Sequence, residues 1–382
     1  MTTALWVAVH EIPWLGPALA EGARAVVGPG PVAKLEDVSY GVADRLRLLV
    51  GGEDETPKTY WDAEAQPVAK GPTTQASVAP PDFNGPRPLP PTAATPPFDA
   101  VAATGDGSWI AVTPPGAGDP PAMWKTLIHP DPKRPFAAVA IVAVDRHVIE
   151  LHVMPGTDEP KAPQIPNAVR PGLVPAKEQP RLVAAFNGGF RAMHGNYGMM
   201  KAGVTFVPPR DIACTIAFLD PTKSATPDQD LTIETWSKIE SQRESMTAFR
   251  QTPPCLVEGG EPNPGLLQEF NRNWGATVGG DTIIRRSAIG LSKDRRHLFY
   301  ALGDAVTAQS IGRAMQVVGA HNAAQLDVNY SYPRFVLFEQ NAGGAPIATS
   351  PIVPDVKYSP TDYVVGPQQR DFFYLTRRAT AS

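Results

Sequence analysis

Three segments of the chain place polar side chains directly after apolar stretches, where a rigid element can present them to a ligand. The first is FNGGF at Phe186–Phe190, whose paired glycines let the backbone turn sharply and approach a ligand closely. Asn187 could bind a sugar hydroxyl, and Arg191, His194 and Lys201 downstream could neutralise a phosphate. The alternative is a tight turn followed by solvated basic residues, because Asn-Gly is a common turn dipeptide.

The second and third segments supply a guanidinium and a carboxylate. Arg286 stands among small residues and could direct a rigid bidentate fork at a phosphate, with a salt-bridged edge strand as the alternative. The apolar stretch 323–326 runs into Asp327 and a polar loop with Ser331, so this acid is held rigidly near the surface unless it only caps a turn. Glu258 and Asp304 stand beside glycines and are further carboxylate candidates, again with a turn role as the alternative.

Apolar patterns predict the elements that position these segments. The predicted strands are 137–144, 148–153, 181–186, 212–219, 282–291, 298–302 and 335–338, the first two forming a hairpin around 145–147. A helix is predicted after Thr307 as N-cap, with apolar residues at helical spacing and Gly319 as its end. Many strands with few helices indicate an α+β fold around a mixed β-sheet.

Proline divides the chain, with 43 prolines in total and eight of them within residues 79–97. Proline removes a backbone donor and fixes φ, so such a stretch is neither helix nor central strand. The pattern predicts a small helical N-terminal segment at 1–55 and an extended proline-rich connector at 56–135. The segments with candidate chemistry fall in a domain at 136–382.

Composition limits the partners and leaves the compartment open. A net charge of -4 gives no case for nucleic acid, and no apolar run is long enough for a membrane helix. Cys214 and Cys255 would form a disulfide in an exported protein and are otherwise two buried thiols. Leu5–Val9 is interrupted by His10 and Glu11 and is a poor secretory signal, although a periplasmic or secreted location is the working hypothesis.

Taken in order, the segments resemble the phosphodiester glycosidase domain family. The family pattern is close to NGGFF, then R-T-A-I-G, then a helix ending in Gly-Ala, and then L-D-G-G-G-S. Between about Phe136 and Phe338 this chain has, in the same order, NGGF, R-S-A-I-G-L, a helix ending in Gly-Ala and L-D-x-x-x-S. The resemblance implies a sugar-hydrolysing domain and a set of site residues: Asn187, Gly188, Gly189, Arg286, Asp327 and Ser331, with Asp304 as a looser match. The chain departs from the pattern at 328–330, where Val-Asn-Tyr replaces three glycines, and at Arg191, which replaces a phenylalanine. These changes weaken the inference about substrate and leave loss of catalysis open.

The predicted function is hydrolysis at the anomeric carbon of a sugar 1-phosphodiester or related glycan, with no required cofactor. Such chemistry passes through an oxocarbenium-like state and commonly uses two carboxylates. Asp327 would be nucleophile or base, and Asp304 or Glu258 the second carboxylate. Arg286 or protonated His194 would stabilise the departing phosphate, while Asn187 and Ser331 would hold sugar hydroxyls.

Two other readings stay open. The domain would be a glycan-binding or cell-envelope scaffold module if replacement of the glycine loop has abolished turnover. It would be a metal-dependent hydrolase if a divalent ion were bound by Asp304, Asp327 and His194 or His321, which the spacing neither supports nor opposes.

Overall fold

The computed structural model describes residues 56–61, 87–112, 120–223, 227–267, 273–275, 283–354 and 356–379. The predicted helical segment 1–55 lies outside these residues, as do residues 62–86 and 113–119 of the predicted connector.

The described residues form a β-rich fold with few helices, as predicted. The strands are β1 (Ile110–Ala111), β2 (Met123–Ile128), β3 (Val139–Asp145), β4 (Ile149–Met154), β5 (Leu182–Asn187), β6 (Met199–Lys201), β7 (Val204–Val207), β8 (Cys214–Leu219), β9 (Leu231–Thr235), β10 (Met246–Thr252), β11 (Val257–Glu258), β12 (Glu261–Pro262), β13 (Ile284–Ser292), β14 (His297–Val306), β15 (Ala320–Val328), β16 (Phe335–Gln340), β17 (Pro346–Pro351) and β18 (Phe372–Arg377). The α-helices are α1 (Trp236–Ile239) and α2 (Ala308–Val317). Short 3-10 helices span Asp99–Val101, Asn167–Val169, Gln179–Arg181, Pro221–Lys223, Pro227–Asp230, Glu240–Ser245 and Pro264–Leu267.

These strands form three sheets within the part of the chain that is described. An eight-stranded sheet has the order β1-β2-β3-β14-β13-β15-β11-β12, and the second sheet has the order β7-β6-β10-β8-β9. The third has the order β17-β16-β5-β18-β4. The long central pairs, β13 with β14 and β14 with β3, are antiparallel.

The eight-stranded sheet is covered on both faces at its centre. On one face, Ala288 and Phe299 belong to the same buried cluster as Ile311 of α2. On the other face, the ring of Tyr300 lies 4.8 Å from that of Phe186 on β5, between ring centroids. Strands covered on both faces read as continuous apolar runs, which is why β14 was recognisable from the run at 298–302.

The helix α2 forms where it was predicted. The Thr307 side chain accepts a hydrogen bond from the Ser310 backbone amide at 3.0 Å, as an N-cap does. Gly319 follows the helix with a φ of +92°, a conformation that favours glycine at a helix end.

Two predictions about the beginning of the domain need correction. Strands β3 and β4 do not form a hairpin: β3 pairs with β2 and β14, whereas β4 pairs with β18 in the third sheet. The residues between them therefore turn the chain from one sheet into another. The connector predicted at 56–135 contains β2, which pairs with β3 along its whole length.

Cys214 and Cys255 form a disulfide, which resolves the alternatives left by the sequence. It joins β8 of the second sheet to the turn that leads into β11 of the first sheet. Among the described residues, no helix is both long enough and apolar enough to cross a bilayer.

Candidate active site

The three segments singled out in the sequence meet where β5, β13 and β15 come together. The Asp327 amide donates to the Gly188 carbonyl at 3.1 Å. The Ser287 hydroxyl donates to the Asp327 carbonyl at 2.9 Å and accepts from the Asn187 side-chain amide at 2.8 Å. The contact between the second segment and the other two is therefore made by Ser287.

The Asp327 carboxylate is buried at this meeting point and is paired with a cation. Its side chain is 3% exposed, and Oδ2 lies 2.6 Å from Nη2 of Arg370. The Asn329 side-chain amide donates to the same oxygen at 3.0 Å. Burial raises the pKa of Asp327 to about 6, although Arg370 acts in the opposite direction.

A second ion pair lies behind the glycine turn. Arg250 and Asp371 are 0% and 1% exposed at their side chains, and the Arg250 Nε donates to Asp371 Oδ2 at 2.8 Å. The Gly189 amide donates to the same carboxylate oxygen at 2.9 Å. Arg250 also donates to the Phe190 carbonyl at 2.6 Å, so this pair fixes the backbone on both sides of the turn.

This ion pair gives the physical reason for the two glycines. A Cβ on Gly188 would lie 2.3 Å from the Asp371 carbonyl oxygen, and a Cβ on Gly189 would lie 2.9 Å from Cζ of Arg250. Both distances are shorter than side chains tolerate, so any larger residue would displace the pair. The sequence predicted that the glycine turn lets a ligand approach the backbone. In the structure the space beside the two glycines is filled by Asp371 and Arg250.

Arg191 and His194 lie on the loop that follows the turn. The Arg191 Nε lies 3.3 Å from Oε1 of Glu159, and its side chain is 32% exposed. Partial burial, together with Arg191 and Arg370, lowers the pKa of His194 below its ordinary value. His194 is therefore mainly neutral at pH 7, which does not fit the role of a protonated group beside a phosphate.

Asn187 is enclosed by protein groups. It is 0% exposed, and its side-chain oxygen accepts from the Tyr300 hydroxyl at 2.8 Å and from the Arg334 amide at 3.2 Å. Its side-chain nitrogen donates to Ser287 and to the Gly188 carbonyl. This arrangement supports the turn and does not fit direct binding of a sugar hydroxyl.

Arg286 lies on the other face of the eight-stranded sheet. It follows the alternation of a strand, since its neighbour Ser287 points toward Asn187. The Arg286 guanidinium is buried and donates to the Trp274 carbonyl at 2.6 Å and to the Gln325 side chain at 2.9 Å. Burial lowers the pKa of Arg286 to about 9. A guanidinium held in this way supports the fold. Its burial among protein acceptors does not fit the hypothesis that Arg286 faces a phosphate.

The two proposed second carboxylates are each paired with a cation other than Arg370. Asp304 forms an ion pair with Arg285. Glu258 lies 2.6 Å from Nζ of Lys238, and its neighbour Val257 pairs with Ala323, four residues before Asp327. Four strand residues span about 13 Å, beyond the separation of roughly 5–10 Å that paired glycosidase carboxylates need.

Ser331 and Lys201 also lack a clear place in this site. The Ser331 amide donates to the Asn329 side chain at 3.0 Å, and Ser331 is an exposed turn residue. Lys201 lies on β6, where burial lowers its pKa and the charges that act on it are those of Glu178, Glu150 and Lys177. Among the described residues, no group of three His, Cys, Asp or Glu side chains is arranged to hold a metal ion, so Asp304, Asp327 and the histidines are not brought together as ligands.

Four further residues lie at this candidate site and were not predicted from the sequence: Arg250, Arg370, Asp371 and Tyr332. Arg370 and Asp371 directly precede the buried strand β18, so they too are polar residues next to an apolar run. That signal was present in the sequence. Arg250 lies inside β10 and gave no comparable signal, because a buried arginine within a strand is recognisable only from its partner.

Comparison with known proteins confirms the resemblance. Residues 180–331 match the model of the phosphodiester glycosidase family. No curated protein sequence matches the chain at a significant level.

Three solved structures are distantly similar to this chain. The catalytic domain of zebrafish N-acetylglucosamine-1-phosphodiester alpha-N-acetylglucosaminidase, auto-inhibited by its pro-peptide, has 15% identity and a TM-score of 0.41, covering 71% of this chain and 88% of that one. A protein from Synechocystis has 12% identity and a TM-score of 0.34, covering 63% of this chain and 59% of that one. A protein from Burkholderia pseudomallei has 11% identity and a TM-score of 0.35, covering 63% of this chain and 74% of that one.

Proposed function

We propose that the chain hydrolyses the bond between the anomeric carbon and the bridging oxygen of a sugar 1-phosphodiester, so that the phosphate leaves with that oxygen. The observation that carries this proposal is the position of Asp327. It lies inside the segment that matches the phosphodiester glycosidase family, at the point where three chain segments meet. Its pKa, raised to about 6 by burial, suits a group that exchanges a proton near neutral pH.

Asp327 acts in this scheme as base or nucleophile at the anomeric carbon. Above its pKa the carboxylate is charged and can take a proton from water or attack the carbon itself. Phosphate is a good leaving group, so the reaction places less demand on a general acid than an ordinary glycoside does. Arg370 contacts Asp327 directly, and it would stabilise the negative charge of the departing phosphate.

The test is turnover by the full chain. We would incubate it with UDP-N-acetylglucosamine, itself a sugar 1-phosphodiester, and with a panel of chromogenic glycosides, and measure release of the free sugar. Asp327→Asn should lower the rate by at least about 100-fold, which is the usual contribution of a positioned acid or base.

The matched control is Glu258→Gln, which neutralises a carboxylate on the same sheet that is paired with Lys238. It should leave turnover unchanged. Activity that persists in Asp327→Asn would remove Asp327 from the reaction, and activity lost in Glu258→Gln would restore the earlier two-carboxylate hypothesis.

A second candidate function is glycan binding without turnover. It is favoured by Tyr330, which stands where the family pattern has a glycine and is 45% exposed. Its ring is braced by Arg285, whose Cζ lies 4.3 Å from the ring centroid. An exposed, supported aromatic ring has an apolar face on which a sugar can stack. Polysaccharide binding that is lost in Tyr330→Ala, in a chain with no turnover, would favour this function.

We also propose that the protein works outside the cytoplasm, in the periplasm or after secretion. The Cys214–Cys255 disulfide supports this location, because disulfides persist in oxidising compartments.

A further inference from the structure

Arg370 has hydrogen-bonding capacity that the protein does not use. Its Nη2 lies 2.6 Å from Asp327 Oδ2 and donates to the Gly189 carbonyl at 3.4 Å. Its Nε is buried and has no hydrogen-bond partner among the described residues. Buried donors in folded proteins are almost always satisfied, so an unsatisfied guanidinium nitrogen points to an acceptor that arrives with a ligand.

The ring of Tyr332 fixes the orientation of the Arg370 guanidinium. Its Cζ lies 3.8 Å from the ring centroid of Tyr332, which is the stacked arrangement of a cation over an aromatic ring. The Tyr332 hydroxyl donates to the Asp371 carbonyl at 2.7 Å, so the ring is itself tied to the buried ion pair. Asp327 holds one end of the guanidinium, and 16% of the Arg370 side chain stays exposed.

The charge of Arg370 is paired with Asp327, and its guanidinium keeps a further donor for an anion. Asp371 is fully engaged by Arg250 and the Gly189 amide, so Asp327 is the carboxylate that Arg370 contacts. A phosphodiester carries one negative charge on two non-bridging oxygens, which a guanidinium recognises by charge-assisted hydrogen bonds.

We propose that Arg370 is the residue that binds the phosphate of the substrate, next to Asp327. The inference rests on the proposed function and adds to it a residue from outside the segment that matches the family. In this arrangement Asp327 orients the guanidinium before the substrate arrives, and the phosphate oxygens take the donors that Asp327 leaves unused. The anomeric carbon of the same substrate is thereby placed beside the Asp327 carboxylate.

The test uses the full chain and two measurements. Inorganic phosphate is titrated by calorimetry, and UDP-N-acetylglucosamine turnover gives kcat and KM separately. Arg370→Lys keeps the charge but loses the planar fork, and it should weaken phosphate binding and raise KM at least about tenfold, as expected when a bidentate contact is lost. The control is Arg313→Lys, an arginine on α2 that donates to the Pro130 carbonyl at 2.7 Å, which should change neither quantity.

A second variant separates binding from a structural role. In Arg370→Ala, added guanidinium ion should restore part of the phosphate affinity if the lost group binds the ligand. The proposal is overturned if the wild-type chain binds no phosphate, or if Arg370→Lys changes kcat and its pH profile but leaves KM and phosphate affinity unchanged. It is also overturned if phosphate binding disappears together with the folded state and guanidinium restores nothing.

The outcomes distinguish this proposal from the proposed function. Phosphate binding that depends on Arg370, without turnover of any phosphodiester, supports the role of Arg370 and removes the hydrolase function. Turnover that depends on Asp327 but not on Arg370 supports the hydrolase function and removes the role of Arg370.

Discussion

Replacing Asp371 by asparagine should cost the protein about 3 kcal/mol of unfolding free energy. The Arg250–Asp371 pair is almost fully buried, and removing one partner of such a pair costs roughly 3–5 kcal/mol because the other charge stays buried without compensation. Arg250 keeps three carbonyl acceptors, those of Phe190, Tyr197 and Gln251, and these place the cost near the lower end of that range.

The assay is equilibrium unfolding in urea followed by tryptophan fluorescence. With an m-value near 3 kcal/mol/M, a loss of about 3 kcal/mol lowers the midpoint by roughly 1 M. Asp158→Asn is the control, because the Asp158–Lys161 pair is about half exposed and such pairs contribute about 0–1 kcal/mol. A difference of less than about 1 kcal/mol between the two variants would refute the reasoning that the buried pair needs its anion.

Three further predictions concern stability. Gly188→Ala should destabilise the fold by about 3 kcal/mol in urea unfolding, because its Cβ would lie 2.3 Å from a backbone oxygen. The control is Gly366→Ala, whose Cβ would have its nearest atom at 3.7 Å and which should stay within about 1 kcal/mol of wild type. Similar unfolding free energies for the two variants would contradict the packing argument. Because burial raises the pKa of Asp327 to about 6, the folded chain binds the extra proton and its stability should fall as pH rises from about 4 to 6, by up to roughly 3 kcal/mol. The unfolding free energy of Asp327→Asn, measured across the same pH range, should lack this fall. Equal pH dependence in the wild type and the variant would show that Asp327 is not its source. Reducing the Cys214–Cys255 disulfide, whose cysteines are 41 residues apart in sequence, should cost about 4 kcal/mol, and unchanged urea midpoints with and without reductant would argue against that value.

Local signals in the sequence predicted the elements well. The helix α2 was identified from its N-cap Thr307, its apolar spacing and Gly319, all of which act within a few residues of one another. Strands β5 and β14 were identified from continuous apolar runs. Their partners were not predictable in the same way, because β3 and β4 are adjacent in sequence but pair in different sheets.

The site was predicted in part, and the reasons are geometric. Gly188, Gly189 and Asp327 were found because they end apolar strands. Arg286 was predicted as a site residue, but it lies on the face of β13 opposite the candidate site. The sequence pattern of a strand shows which residues share a face and does not show which face points toward the site. Arg370 lies just before the apolar strand β18, but this local signal does not show that Arg370 meets Asp327, which is distant in sequence.

The meeting of several sheets at Asp327 has a consequence for any attempt to isolate the proposed activity in a fragment. The carboxylate is on the eight-stranded sheet, Arg250 on the second sheet, and the glycine turn and Asp371 border strands of the third. A fragment cut to residues 180–331 would lack β3 beside β14, β18 beside β5, and both Arg370 and Asp371. Ligand binding therefore reports on assembly of the whole domain, and dissection into smaller active pieces is expected to fail.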